Sequence, residues 1–269
     1  MPDGTVAGAA DPTPPQARTH RLAIVAAAVQ ATAAGRELTA GLAAVGVPVM
    51  VLRGPPVQLR LLGSDAAYRS ADLDLLIRPR HRRRAFEVLS KLGWRFASDN
   101  GVLWRLDRAA AFLRNGVTVD LHWGLHAFWV SPRHLRSLER AFWAGGSRTA
   151  DGWHEPPIEA LVVYFAVHGA ASGFHKPAAS TLVKAASDLT TDWAAVEALA
   201  RDVHLWSTVQ YALGRARGET PGPPPPIFDG AVRRFLGGVS RRARTLSAVP
   251  AVRRAILATR RRRRGPGVT

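Results

Sequence analysis

The chain has 269 residues, 47% of them hydrophobic and 7% aromatic, with no cysteine and a formal net charge of +17. That length and apolar share suffice for one large folded unit or two small ones, and the lack of thiols excludes disulfides, thiolate zinc sites and a cysteine nucleophile. The charge is uneven: residues 230–269 hold twelve arginines and no acid, so most of the basicity belongs to the C-terminal end.

Residues 1–18 are Pro, Gly and Ala with little to bury, and are expected to be disordered. An apolar stretch at 22–34 follows Arg18, His20 and Arg21, which is the layout of a signal peptide. Its lead-in is long for that role and carries Asp3, Asp11 and four prolines, so an amphipathic helix over 20–45 is the preferred reading. No apolar run has the length of a membrane span, and the cytoplasm is the expected compartment. Gly46 and Pro48 end the helix. The run 47–52 reads as a buried strand with Pro48 at its start. Arg53-Gly54-Pro55-Pro56 ends that strand, and Pro56 opens a short helix through Leu62.

A loop then leads to a strand at 72–77. Pro79 opens a helix to about 92, with Ala85, Phe86, Val88, Leu89 and Leu92 at helical spacing. Further strands are expected at 94–97, 102–106 and 117–123, with Asn100-Gly101 and Asn115-Gly116 as turns. Beyond Ser131 the pattern turns helical, at 132–143, 157–171, 178–189, 193–203 and 205–217. Prolines between 221 and 226 form a PPII-like spacer. The expected organisation is α+β: a disordered 1–18, a mixed-sheet domain with flanking helices at 19–150, an all-helical domain at 151–217, a Pro-rich linker at 218–228, and an Arg-rich helical or disordered tail at 229–269.

Candidate chemistry gathers on two of these strands. In Asp72-Leu73-Asp74 the strand period of two puts both carboxylates on one face. Adjacent anions repel, and a divalent cation such as Mg²⁺ relieves that repulsion while keeping positions for water and phosphate. In Thr118-Val119-Asp120-Leu121-His122, alternation puts Asp120 and His122 on one face and the apolar pair on the other. If the two strands are neighbours, three carboxylates converge, an arrangement suited to two-metal phosphoryl transfer with Asp120 taking a proton from the attacking hydroxyl. Gly54, between a strand and a helix start, is placed to receive a phosphate, with Arg53 beside it. His122 serves equally as a substrate-positioning group or a structural one. His168, on an apolar helix, reads as a hydrogen-bonded core residue. Asp188 reads first as the i,i+4 partner of Lys184. Trp123, Trp129, Trp143 and Trp193 read as packing residues, and Arg78, Arg80 and Arg82 to Arg84 as a solvated helix start.

The runs Val49-Met50-Val51-Leu52-Arg53-Gly54, Ala71-Asp72-Leu73-Asp74-Leu75-Leu76-Ile77 and Val119-Asp120-Leu121-His122-Trp123, followed by the helix holding His168 and by Lys184 to Leu189, resemble the uncharacterised bacterial nucleotidyltransferase family of the polymerase-β-like superfamily. The resemblance covers about residues 20–217, and the order and spacing of its motifs are more specific than any one of them. It implies a nucleotidyltransferase-like sheet, an NTP substrate, two Mg²⁺ ions, and metal-ligand and catalytic roles for Asp72, Asp74 and Asp120. It also puts Arg53, Gly54, His122 and Asp188 near the nucleotide. Two departures stand out. Arg53 occupies a position where the family usually has lysine, and Pro55-Pro56 remove two N–H donors from the turn expected to hold phosphate.

The expected activity is transfer of an NMP from an NTP to a hydroxyl-bearing acceptor, with pyrophosphate leaving. The alternatives are a catalytically weak nucleotide-binding accessory module, favoured by Pro55-Pro56, and a transferase directed at RNA such as tRNA ends. The arginine tail reads first as a disordered solubilising end, then as an arm for RNA or for an anionic membrane surface.

Overall fold

The computed structural model describes residues 14–64, 72–97, 108–125, 132–171 and 177–219. The expected strand at 102–106, its Asn100-Gly101 turn, Trp129, the proline spacer and the arginine tail lie outside the described residues. Helix α1 (Pro14–Ala44) is followed by β1 (Met50–Arg53), α2 (Pro55–Leu62) and β2 (Asp72–Leu76). A 3-10 turn (Pro79–His81) then leads into α3 (Arg82–Lys91), β3 (Arg95–Phe96), β4 (Ala109–Arg114) and β5 (Val117–His122). The rest is α4 (Pro132–Gly145), β6 (Ser147–Arg148), β7 (His154–Glu155), α5 (Ile158–Ala171), α6 (Pro177–Leu189), α7 (Trp193–Asp202) and α8 (Trp206–Ala216). No helix among the described residues is long and apolar enough to cross a membrane.

The strands form one mixed sheet in the order β3-β4-β5-β2-β1-β7-β6. β2 runs parallel to β5 and antiparallel to β1, while β7 runs parallel to β1. The two middle strands are apolar on one face throughout. Leu73, Leu75, Val119 and Leu121 are fully buried there, and α1 and α3 cover that face through Leu38, Leu42, Val88 and Leu89. Each such side chain withdrawn from water contributes roughly 1.5–3 kcal/mol, which fixes the register of the whole sheet, because a one-residue slip would exchange these leucines and valines for the aspartates.

Several boundaries differ from the sequence reading. The first helix begins at Pro14 rather than at residue 20, so residues 14–18 of the stretch expected to be disordered are helical. Prolines at 14 and 15 fit a first turn, where the missing N–H would have had no helical partner in any case. The helix expected to open on Pro79 begins with a 3-10 turn there and becomes α-helical at Arg82.

Strand β4 was not expected, since Ala109, Ala110 and Ala111 carry little β preference. Pairing creates it: Arg114 faces Val117 across Asn115-Gly116, both with positive φ (50° and 80°), a two-residue turn whose twist matches a hairpin. The two-residue strands β6 and β7 extend the sheet past β1 through His154 N–H donating to the Val49 carbonyl at 2.7 Å, and are too short to leave a periodic signal.

The helices after residue 157 fall within a residue or two of their expected bounds and pack on one another and on α2 and α4. Their buried side chains, among them Leu161, Phe165, Val183, Val196 and Val209, belong to the same continuous apolar cluster as the sheet. The arginines before and within α3 are more engaged than a solvated helix start. Arg78 lies over the Trp143 ring at 4.9 Å, Arg82 over Trp123 at 5.3 Å, and Arg84 donates to the Val45 carbonyl at 3.0 Å. Trp123 is 4% exposed, as a packing residue should be, whereas Trp193 is 37% exposed and contributes little to the core.

Candidate active site

The parallel pairing of β2 with β5 sets Asp72 opposite Thr118 and Asp74 opposite Asp120. Residues level with each other on neighbouring parallel strands point to the same side. Asp72, Asp74 and Asp120 therefore share the face of the sheet opposite the one that α1 covers. Asp72, at the mouth of β2, is exposed; Asp74 is 3% exposed and Asp120 half-buried.

Arg53 reaches this face from the end of β1, where an irregularity in the pairing brings it level with Asp74. Its Nη2 donates to Asp74 Oδ1 at 2.9 Å. His122 Nε2, from the end of β5, lies 3.3 Å from the same oxygen. The remaining contributor is a helix. Arg53 Nη1 is 2.7 Å from His168 Nε2 on α5, and Tyr164, one turn earlier, stacks on His168 with ring centres 6.1 Å apart and lies within hydrogen-bonding reach of Arg53. Neither Tyr164 nor the site role of His168 was anticipated. The available signal was their i,i+4 spacing, which puts two polar rings on one stripe of an otherwise apolar helix.

Hydrogen-bond chemistry fixes the tautomers. A guanidinium only donates, so His168 Nε2 accepts, and His168 is neutral with its proton on Nδ1. A carboxylate only accepts, so His122 donates from Nε2. The two aspartates are driven apart in acidity. Burial works to protonate Asp74, but the His122 hydrogen bond and the Arg53 charge prevail and hold it well below its ordinary value. Burial raises Asp120 above its ordinary value, and the negative charges of Asp74 and Asp72 add to this against His122 and Arg53. Burial likewise pushes the Tyr164 hydroxyl far up, so it remains a neutral phenol. One carboxylate locked as an anion beside another that readily takes a proton is the pattern that separates electrostatic and acid–base roles.

Gly54 sits where β1 turns into α2. Its φ of 109° and ψ of −172° are open to glycine, and a Cβ there would come within 2.8 Å of the Asp72 carbonyl and 3.0 Å of Leu73. The glycine thus lets the Arg53 turn press against the backbone of β2, beside the first carboxylate. Asp188 is placed elsewhere. It pairs with Lys184 at 2.5 Å and lines a shallow pocket with Leu62, at the end of α2 away from Gly54, about 12 Å along that helix.

Oxygen donors from two adjacent strands, with a surplus of negative charge that raises Asp120, are the chemistry a hard divalent cation relieves. By that measure Asp72, Asp74 and Asp120 fit one. Among the described residues no three acidic or histidine side chains close into a ready-formed cation site, because Asp74 is turned toward Arg53 and His122.

Residues 8–218 match the model of a family described as an uncharacterised nucleotidyltransferase. No curated protein matches the chain at a significant level. Among solved structures, the solution structure of the antibiotic-resistance factor ANT(2'')-Ia is similar with a TM-score of 0.46 and 16% identity, over 71% of this chain and 97% of that one. The crystal structure of ANT(2'')-Ia in complex with adenylyl-2''-tobramycin has a TM-score of 0.46 and 15% identity, over 65% of this chain and 97% of that one.

Proposed function

The chain belongs to the uncharacterised nucleotidyltransferase family, and from that premise we propose that it transfers a nucleoside monophosphate from an NTP to a hydroxyl on an acceptor. The observation that carries this reading is the level pairing of Asp74 with Asp120 on parallel strands, with Asp72 on the same face. In the transfer, the acceptor oxygen bonds to the α-phosphorus as the bond from that phosphorus to the pyrophosphate oxygen breaks. The acceptor proton passes to Asp120, whose raised proton affinity suits a base, and pyrophosphate leaves. Asp72, Asp74 and Asp120 would hold the divalent ions, which when bound supply charge neutralisation at the phosphates. Arg53 adds positive charge beside the phosphate path, and His122 keeps Asp74 ionised and oriented through its Nε2 hydrogen bond.

The test is incubation of the purified protein with Mg²⁺, each labelled NTP and a cell extract, with mass spectrometry for an acceptor that gains an NMP. Both Asp74→Asn and Asp120→Asn should lower transfer by about a hundredfold or more. Full transfer by either variant would contradict the assignment.

A second reading, a nucleotide-binding module without turnover, draws on the start of α2, where Pro55 and Pro56 have no N–H to offer a phosphate. Mg²⁺-dependent NTP binding by calorimetry, with no product under single-turnover conditions, would favour it.

A further inference from the structure

The start of α2 presents no amide to an anion. Pro55 and Pro56 fill its first positions, and the next two N–H groups, those of Val57 and Gln58, both donate to the Gly54 carbonyl at 3.1 Å. A phosphate grip at this helix N-terminus, which depends on amides aimed outward, is closed by the chain's own sequence. The positive charge that acts on Asp74, Asp120 and Tyr164 alike is the Arg53 guanidinium. It sits at a junction of three elements, with one terminal nitrogen on Asp74 of β2 and the other on His168 of α5.

We propose that Arg53 serves two anions in turn: the Asp74 carboxylate in the resting site, and the phosphate chain of the nucleotide once substrate arrives. His168 and Tyr164 act as positioning residues that hold the guanidinium at the pivot. This rests on the nucleotidyltransferase reading and specifies how its site loads. Two cations cannot both take full hold of one small carboxylate, so a divalent ion at Asp74 and Arg53 at Asp74 compete. A nucleotide arriving with a divalent ion supplies both replacements at once, a cation for Asp74 and an anion for Arg53, and the exchange leaves no charge unpaired. The planar fork of arginine suits this duty: the bond to His168 anchors one nitrogen while the other turns from carboxylate to phosphate. Neutral His168 accepts that anchoring bond without adding a repelling charge. The family's usual lysine, a point donor, would lack this second hold.

The test uses the full chain and two probes measured separately: Mn²⁺ alone, by electron paramagnetic resonance titration, and inorganic tripolyphosphate alone, by calorimetry. Arg53→Gln should raise Mn²⁺ affinity about tenfold, because a competing cation is gone, and lower tripolyphosphate affinity about tenfold. His168→Leu should move both readings in those same directions. His168→Gln, whose amide oxygen can accept the same N–H, should stay within about threefold of the wild type on both. Damage to the fold would weaken both ligands together, so parallel losses in Arg53→Gln overturn the exchange, as does a variant indistinguishable from the wild type. A wild type that binds no Mn²⁺ sinks the nucleotidyltransferase reading along with it.

Discussion

At the scale of single residues, Asp74 and Asp120 carry opposite signs of linkage. Asp74 has a folded pKa below its ordinary value of 3.8. The stability it contributes is therefore present above that value and is lost as pH falls through it toward the folded value. The gap in melting temperature between wild type and Asp74→Asn should accordingly be widest near neutral pH and narrow below about pH 4. Asp120, with its folded pKa raised, weakens the fold as pH climbs above its ordinary value, because the ionised form must sit among other anions. Asp120→Asn should therefore melt about 2–4 °C higher than the wild type at neutral pH, while losing transfer activity. Differential scanning calorimetry across pH 3 to 8 reads both effects, and a destabilised Asp120→Asn at neutral pH would contradict this account of the site's charge. A residue that costs stability and is kept nonetheless has the signature of a functional group.

At the scale of elements, the site depends on how β1 ends. Gly54→Ala puts a Cβ within 2.8 Å of the Asp72 carbonyl at a φ of 109°. The strain is local backbone strain of about 1–3 kcal/mol plus whatever β2 must shift. Chemical denaturation should show that loss, and the Arg53–Asp74 pair should loosen with it, since both depend on the same close approach. The helix α5 has the complementary task. Its buried stripe, Leu161, Val162, Phe165 and Ala166, seats it in the core, and that seating delivers Tyr164 and His168 to the sheet. The hairpin between β4 and β5 shows an element that propensity alone misses. A strand that starts with three alanines forms because Asn115-Gly116 can take positive φ at both positions and because β5 offers a ladder to pair with.

At the scale of the whole molecule, the buried side chains of the sheet and of α5 to α8 form one continuous cluster. The sheet and the C-terminal helices should therefore unfold together. Tryptophan fluorescence, which reports Trp94, Trp123 and Trp153 around the sheet, and far-UV circular dichroism, dominated by the helices, should give coincident thermal transitions. Two separated transitions would mean that the shared core is not what couples them. The sequence by itself determined that a period-two pattern sets Asp72 with Asp74, that Asp120 and His122 share a face, and where the helices beyond residue 157 begin and end. Those properties follow from the periodicity of a single strand or helix, and periodicity is written locally in the chain. Only the tertiary structure decided that β2 and β5 are parallel neighbours level at Asp74 and Asp120, that Arg53 pairs with Asp74, and that His168 and Tyr164 reach that pair from more than a hundred residues away. Those contacts come from burying one shared apolar cluster, a sum over residues from every part of the chain that no local pattern records.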